Sequence, residues 1–110
     1  MGHDAIAIEY HRAVQTGATR AIERFLCHPD VPRIASWEIT ASGAVRGQLL
    51  LPDQTRDTVI SAVRDLYKQH PGSKVVSRAR GNAQLLGVRL EFKLWDFELW
   101  AYTRAPDGQI

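Results

Sequence analysis

The chain has 110 residues, of which 45% are hydrophobic and 24% are charged, with 14 Lys and Arg against 12 Asp and Glu. This length and apolar content suit one hydrophobic core, which excludes global disorder and leaves no room for a second domain. The net charge of +2 excludes the strongly basic composition of a nucleic-acid-binding tail. We therefore expect a single domain spanning residues 1–110.

The apolar runs of the chain are short. None approaches the roughly 18 residues that a membrane-spanning helix needs, and the first residues lack the basic and apolar segments of a secretory signal. The single Cys27 cannot form an internal disulfide. We expect a cytoplasmic protein with no membrane contact.

The first predicted element is an amphipathic helix at about residues 4–27. Apolar side chains recur there at steps of three and four, as on one face of a helix. Asp4 suits the N-cap, and His28-Pro29-Asp30 ends the helix. Gly17 lies on the apolar side, where it either weakens the helix or lets another backbone approach. The predicted apolar stripe consists of Ile6, Tyr10, Val14, Ala18, Ala21 and Phe25.

Two strands, at about residues 34–41 and 45–51, are predicted next. A two-residue loop would mix polar and apolar side chains on both faces of this hairpin. A three-residue loop, Ser42-Gly43-Ala44, instead pairs Trp37 with Leu49 and Ile39 with Gly47, which gives one apolar face. We therefore predict the three-residue loop.

A second amphipathic helix is predicted at about residues 53–70, with Asp53 as its N-cap and Pro71-Gly72 as its end. Its polar side carries charged residues typical of a solvated face. The predicted buried stripe consists of Val59, Ile60, Val63, Leu66 and Tyr67.

Three further strands are predicted at about residues 74–80, 83–94 and 97–103. Gly81-Asn82 forms the first turn and Trp95-Asp96 the second. Pairing the last two strands across the second turn separates an apolar face from a charged one. The element order is then α-β-β-α-β-β-β, which predicts an α+β domain with an antiparallel sheet packed by helices.

The sequence contains no recognisable metal or cofactor motif. Cys27 and His28 are adjacent and so point in different directions, and no CxxC, HxxxH or HExxH spacing occurs. No glycine-rich phosphate loop occurs either. We expect no bound metal and no cofactor.

The sequence also lacks a catalytic motif. Glu91 and Glu98 lie near Trp100 on one strand face, where a raised pKa would suit a general acid. Lys93 and Arg89 are their expected cross-strand partners, so ordinary ion pairs are the favoured interpretation. We expect a non-enzymatic protein with no catalytic residues, and a small hydrolase or transferase is the least favoured class.

The unusual surface is the polar face of the last strands, where cationic and aromatic side chains meet. With this pairing, the face carries five cationic residues, one of which is Arg46, and three acidic residues, Glu38, Glu91 and Glu98. It therefore has a surplus of two positive charges. Gly87 is expected to leave a gap at its centre. The candidate macromolecule-binding residues are Arg78, Arg80, Arg89, Lys93, Trp100 and Tyr102.

Three explanations of this face remain open. The first helix, or a second copy of the chain, covers it as part of a core. Alternatively, it binds a protein, since Trp, Tyr and Arg anchor interfaces, or it binds nucleic acid by stacking and phosphate contacts. In the nucleic-acid explanation, Glu91 and Glu98 would lie among the phosphate groups of the bound strand, which counts against it. We therefore favour a protein-interaction module that binds another protein or a second copy as a homodimer, with a nucleic-acid-binding accessory protein as the alternative.

Overall fold

The computed structural model describes the backbone of residues 2–28 and 31–104 and the side chains of Tyr10, 12–28 and 31–104. The observed element order is the predicted α-β-β-α-β-β-β, which confirms the α+β fold. The elements are α1 (Gly2–Leu26), β1 (Ile34–Ile39), β2 (Val45–Leu49), α2 (Arg56–Gln69), β3 (Lys74–Arg80), β4 (Ala83–Phe92) and β5 (Trp95–Arg104).

The five strands form one mixed sheet in the order β1-β2-β5-β4-β3. Three of its four strand pairs are antiparallel, as predicted. The fourth pair, β2 with β5, is parallel. This pairing joins the first hairpin to the last three strands, and it places β5 at the centre of the sheet.

The hydrophobic core lies on one face of the sheet. Both helices contribute buried side chains to it, and α2 packs against β3, β4 and β5. Neither described helix is long and apolar enough to cross a membrane. The largest fully buried side chains are Phe25, Phe97, Leu99, Val45, Val59 and Val88.

Helix α1 packs on the sheet through its C-terminal half. Ala18, Ala21 and Phe25 of the predicted stripe are buried, whereas Tyr10 is 60% exposed. The stripe is therefore confirmed only from Val14 onward. The predicted N-cap at Asp4 is wrong, because the helix begins at Gly2 and Asp4 is its third residue. The side chain of Ile6 and the stop at Pro29-Asp30 lie outside the described residues.

Gly17 accommodates an aromatic ring rather than a neighbouring backbone. A Cβ placed on Gly17 would stand 2.6 Å from Cζ2 and 3.1 Å from Cη2 of Trp95. The same indole lies beside Gly43, where a Cβ would be 3.3 Å from its Cζ3. The indole of Trp95 thus sits between α1 and the loop that connects β1 to β2.

The predicted register of the first hairpin is wrong by two residues. Ile39 pairs with Val45 and Trp37 with Gly47, so the loop covers residues 40–44. The Thr40 hydroxyl accepts a hydrogen bond of 3.0 Å from the Ala44 N–H, which stabilises the longer loop. Alternation of side chains does not reveal such a local bond. Because the register error is an even number of residues, the predicted apolar face is correct from Trp37 to Leu49. A bulge between Ile34 and Ser36 interrupts the alternation, so Ile34 and not Ala35 packs against the core.

Helix α2 begins later than predicted, because Thr55 and not Asp53 is its N-cap. Asp53 instead accepts hydrogen bonds from the hydroxyl and the N–H of Thr55, at 2.6 and 2.9 Å. These bonds lower the pKa of the Asp53 carboxyl below its ordinary value. Val59, Val63 and Leu66 are buried as predicted, but Tyr67 is 50% exposed.

The predicted turn between the last two strands is wrong. The turn residues are Lys93 and Leu94, with φ of 52° and 70°, and Phe92 pairs with Trp95. Such a turn usually contains Asn or Gly, because both central residues need positive φ. Lys-Leu gives no such signal. The register error is four positions, again an even number, so the strand residues keep their predicted faces, but Lys93 and Leu94 lie in the turn and on neither face.

Candidate functional site

The sheet face opposite the helices is called the open face here. No helix within the described residues packs on it, so the expectation that the first helix covers this face is wrong for that part of the chain. Register and alternation place on it Ser36, Glu38, Arg46, Gln48, Lys74, Val76, Arg78, Arg80, Ala83, Leu85, Gly87, Arg89, Glu91, Asp96, Glu98, Trp100, Tyr102 and Arg104.

Glu98 is the centre of the open face and is only 5% exposed. Arg46 donates from Nε to its Oε2 at 2.8 Å, and Arg78 donates from Nη2 to its Oε1. Arg89 adds a longer contact of 3.5 Å to the same Oε1. A buried carboxylate is stable only with such partners. Glu98 therefore holds three guanidinium groups over the middle of the sheet.

The strand order explains this cluster. Glu98 lies opposite Arg46 of β2 on one side and Arg89 of β4 on the other. Arg78 comes from β3 and reaches diagonally past Gly87. A Cβ on Gly87 would collide with the Leu99 carbonyl oxygen, so glycine permits the close approach of β4 and β5. The expected gap at Gly87 is not found, because Cα and Cβ of Trp100 would also stand 3.0 Å from that Cβ.

Two aromatic side chains continue the cluster along β5. The rings of Trp100 and Tyr102 meet edge to face, with centroids 4.8 Å apart. The Arg46 guanidinium carbon lies 5.2 Å from the centroid of the Trp100 ring, which is within cation–π range. Arg80 donates a hydrogen bond of 2.8 Å to the Tyr102 hydroxyl. Both rings are half-buried on the open face and take no part in the core.

The structure brings together five of the six predicted binding residues: Arg78, Arg80, Arg89, Trp100 and Tyr102. Lys93 does not belong to this group, because it is exposed in the β4–β5 turn. The predicted Lys93–Glu98 pairing is therefore wrong. Glu91 faces Asp96 across the hairpin.

Sequence reasoning missed three charged residues on the open face: Lys74, Asp96 and Arg104. With these corrections, the open face carries six cationic and four acidic side chains, so its surplus is again two positive charges. The cations are Arg46, Lys74, Arg78, Arg80, Arg89 and Arg104, and the acids are Glu38, Glu91, Asp96 and Glu98.

A depression of about 300 Å³ lies at the edge of the cluster, where Thr40 and Asp96 approach the arginines around Glu98. Among the side chains that the structure describes, no three His, Cys, Asp or Glu residues group as metal ligands. The depression and the neighbouring guanidinium groups suit hydrogen bonds to an acceptor such as a carboxylate. The aromatic pair beside them adds apolar contact area.

Comparison of the chain with protein-family models, curated proteins and solved structures finds no match in any of the three.

Proposed function

We propose that the protein is a non-enzymatic interaction module that binds an acidic surface of another protein through the open face. The observation that carries this proposal is the cluster in which Glu98 holds Arg46, Arg78 and Arg89 beside Trp100. The surplus of two positive charges on the face favours a partner rich in Asp and Glu, because complementary charge steers association.

The ion pairs with Glu98 prepare the arginines for binding. Each guanidinium group has five N–H donors, and a contact with Glu98 uses only part of this capacity. Arg78 and Arg89 are exposed, so their remaining donors are accessible to a partner. A side chain that is already ordered loses less conformational entropy on binding. Arg and Trp are also the residue types that most often dominate interface energies.

A protein partner fits this face better than a nucleic acid does. Glu38, Glu91 and Asp96 are spread among the arginines, and each would repel a nearby phosphate. A protein surface can place Lys or Arg opposite these acids and Asp or Glu opposite the cations. Binding to a nucleic acid remains the alternative, and the experiment below distinguishes it.

The test selects peptides from a displayed random library with the full chain as bait. We expect enrichment of peptides with excess Asp and Glu. Because the double variant Arg78→Gln/Trp100→Ala removes one cation and one aromatic anchor, it should weaken their binding about tenfold or more. Arg64→Gln/Tyr67→Ala is the matched control, since it makes equivalent changes on the exposed side of α2. Fluorescence anisotropy with the enriched peptides gives the dissociation constants.

Three results would contradict the proposal. The first is equal loss of binding in the control and the open-face variant. The second is binding of an unstructured oligonucleotide, but of no acidic peptide, with an affinity that falls steeply with added salt. The third is a dimeric mass by light scattering that Arg78→Gln/Trp100→Ala converts to the monomeric mass, because a second copy would then occupy the face.

A further inference from the structure

A second cationic region lies at one end of the sheet, where the start of α2 meets the β3–β4 hairpin and the end of β5. This region surrounds a cavity of about 880 Å³. Arg56, Arg80 and Arg104 line it, together with the polar side chains of Asn82 and Tyr102. Arg56 comes from α2, so this region extends beyond the open face.

These three arginines differ from those around Glu98 in their partners. Arg56 donates to Gln84 Oε1 at 2.6 Å and to the Arg104 carbonyl oxygen at 3.4 Å, and Arg80 donates to the Tyr102 hydroxyl. Those acceptors are neutral. Among the described residues, no Asp or Glu lines this cavity, and none forms an ion pair with any of the three arginines.

Neutral hydrogen bonds position the guanidinium groups but do not offset their charge. Like charges that share one cavity repel each other, and a bound anion would remove this repulsion. A phosphoryl group carries up to two negative charges at neutral pH and presents three acceptor oxygens. Its oxygens match the paired donors of guanidinium groups, which makes it the anion best suited to several arginines.

We propose that this cavity binds a small phosphorylated organic molecule, with its phosphoryl group held by Arg80 and Arg104, which flank Ala83 on the open face, and with Arg56 at the helix side of the same cavity. The size of the cavity supports an organic ligand, because pockets for small molecules typically measure about 300–1,000 Å³. Asn82 and the Tyr102 ring supply polar and apolar contacts for the remainder of that molecule. This proposal uses contacts other than those of the Glu98 cluster, although Arg80, Tyr102 and Arg104 also lie on the open face.

The test is a titration of the full chain, labelled with ¹⁵N, at low ionic strength and followed by NMR. The probes are adenosine 5′-monophosphate, glucose 6-phosphate and inorganic phosphate, with adenosine as the uncharged comparison. We expect at least one phosphomonoester to bind with a dissociation constant of about 1 mM or lower, more tightly than inorganic phosphate. The largest shifts should fall on the amides of Arg56, Asn82 and Arg104, and adenosine should produce none of them.

The variants separate this site from the cluster around Glu98. Arg80→Gln/Arg104→Gln should weaken phosphomonoester binding about tenfold or more, since it removes two charge-assisted contacts. Arg104→Gln alone provides a check that does not depend on the Tyr102 hydrogen bond. Arg20→Gln and Arg64→Gln each remove one exposed helical arginine that does not line this cavity, and both should leave the affinity unchanged.

Equal binding of phosphate esters by Arg80→Gln/Arg104→Gln and by the unmodified protein would overturn the proposal. So would shifts confined to residues around Glu98, or binding of a single-stranded oligonucleotide without binding of any phosphomonoester. Loss of acidic-peptide binding in the open-face variant bears only on the proposed function.

Discussion

Gly17 is the residue at which helix propensity and tertiary packing oppose each other. In an exposed helix, Gly→Ala is worth up to about 1 kcal/mol of added stability. Here the new methyl group would press on the Trp95 indole, and overpacking of this kind costs about 1–3 kcal/mol. We therefore expect Gly17→Ala to lower the free energy of unfolding by about 1 kcal/mol, measured by urea denaturation.

Thr16→Ala is the matched control, because Thr16 is exposed on the neighbouring helical position and Ala has the higher helix propensity. It should leave the stability unchanged or raise it. The double variant Gly17→Ala/Trp95→Leu should lose less stability than the two single changes predict together, since the smaller side chain relieves the contact. Stabilisation by Gly17→Ala alone would contradict the packing argument.

Glu98 shows what sequence can and cannot reveal about a single residue. Strand alternation correctly placed it on the polar face with Arg78 and Arg89. Its burial could not be predicted, because Arg46 reaches it only through the parallel pairing of β2 with β5. That pairing joins strands separated by α2, β3 and β4, and no local pattern encodes it. The candidate site was thus located without the contact that organises it.

The β4–β5 hairpin is the element whose sequence suits its backbone least. Lys93 and Leu94 both adopt positive φ, which is unfavourable for residues with a Cβ. We expect Lys93→Asn/Leu94→Gly to raise the free energy of unfolding by about 1 kcal/mol, because Asn-Gly suits this turn. Little packing is lost, since Leu94 is 91% exposed. The midpoint of urea denaturation measures the change.

A control for this prediction is Gly81→Ala in the β3–β4 hairpin, where Gly81 has φ of 60° and open space around it. It should destabilise the protein, because a Cβ is introduced where φ is positive. A fall in stability for the Asn-Gly variant would show that the Lys93 or Leu94 side chain makes a stabilising contact.

The elements themselves were largely predictable, but the registers of two of the three hairpins were not. Helical periodicity and alternation are local, so they gave the order of all seven elements and the inward face of each strand, except at the bulge near the start of β1. Register depends on the turn, and the two hairpins with the wrong register use turns whose residues carry little signal, namely the Thr40 loop and Lys93-Leu94. The predicted Gly81-Asn82 turn of the third hairpin is confirmed. Both register errors were an even number of residues, and an even shift leaves each side chain on the same face of the sheet. The open face therefore kept most of its predicted residues.

At the scale of the whole molecule, His70 links stability to pH. It lies at the end of α2 beside Phe25, in a cavity of about 280 Å³ that His28 also lines. Burial and then the nearby charge of His28 lower the pKa of His70 below 6.5. The unfolded chain thus binds this proton more readily, so stability is fully present above pH 6.5 and falls as pH decreases toward the folded-state pKa.

We expect the urea midpoint of the unmodified protein to decrease from pH 7.5 to pH 5.5. The urea midpoint of the His70→Gln variant should decrease less over the same range. The remaining histidines are common to both proteins, so the difference reports His70. His28→Gln should have an intermediate pH dependence, because it removes only the smaller cause of the shift. Parallel curves for all three proteins would contradict this assignment.

The parallel contact between β2 and β5 has a consequence for how the chain acquires its structure during synthesis. The central strand of the sheet follows every other described element in chain order. As the ribosome extends the chain, the first hairpin and α1 emerge without the strand that completes their core. Phe97 and Leu99, which are fully buried, arrive only with β5. Cooperative folding therefore waits until almost all of the described chain has left the exit tunnel.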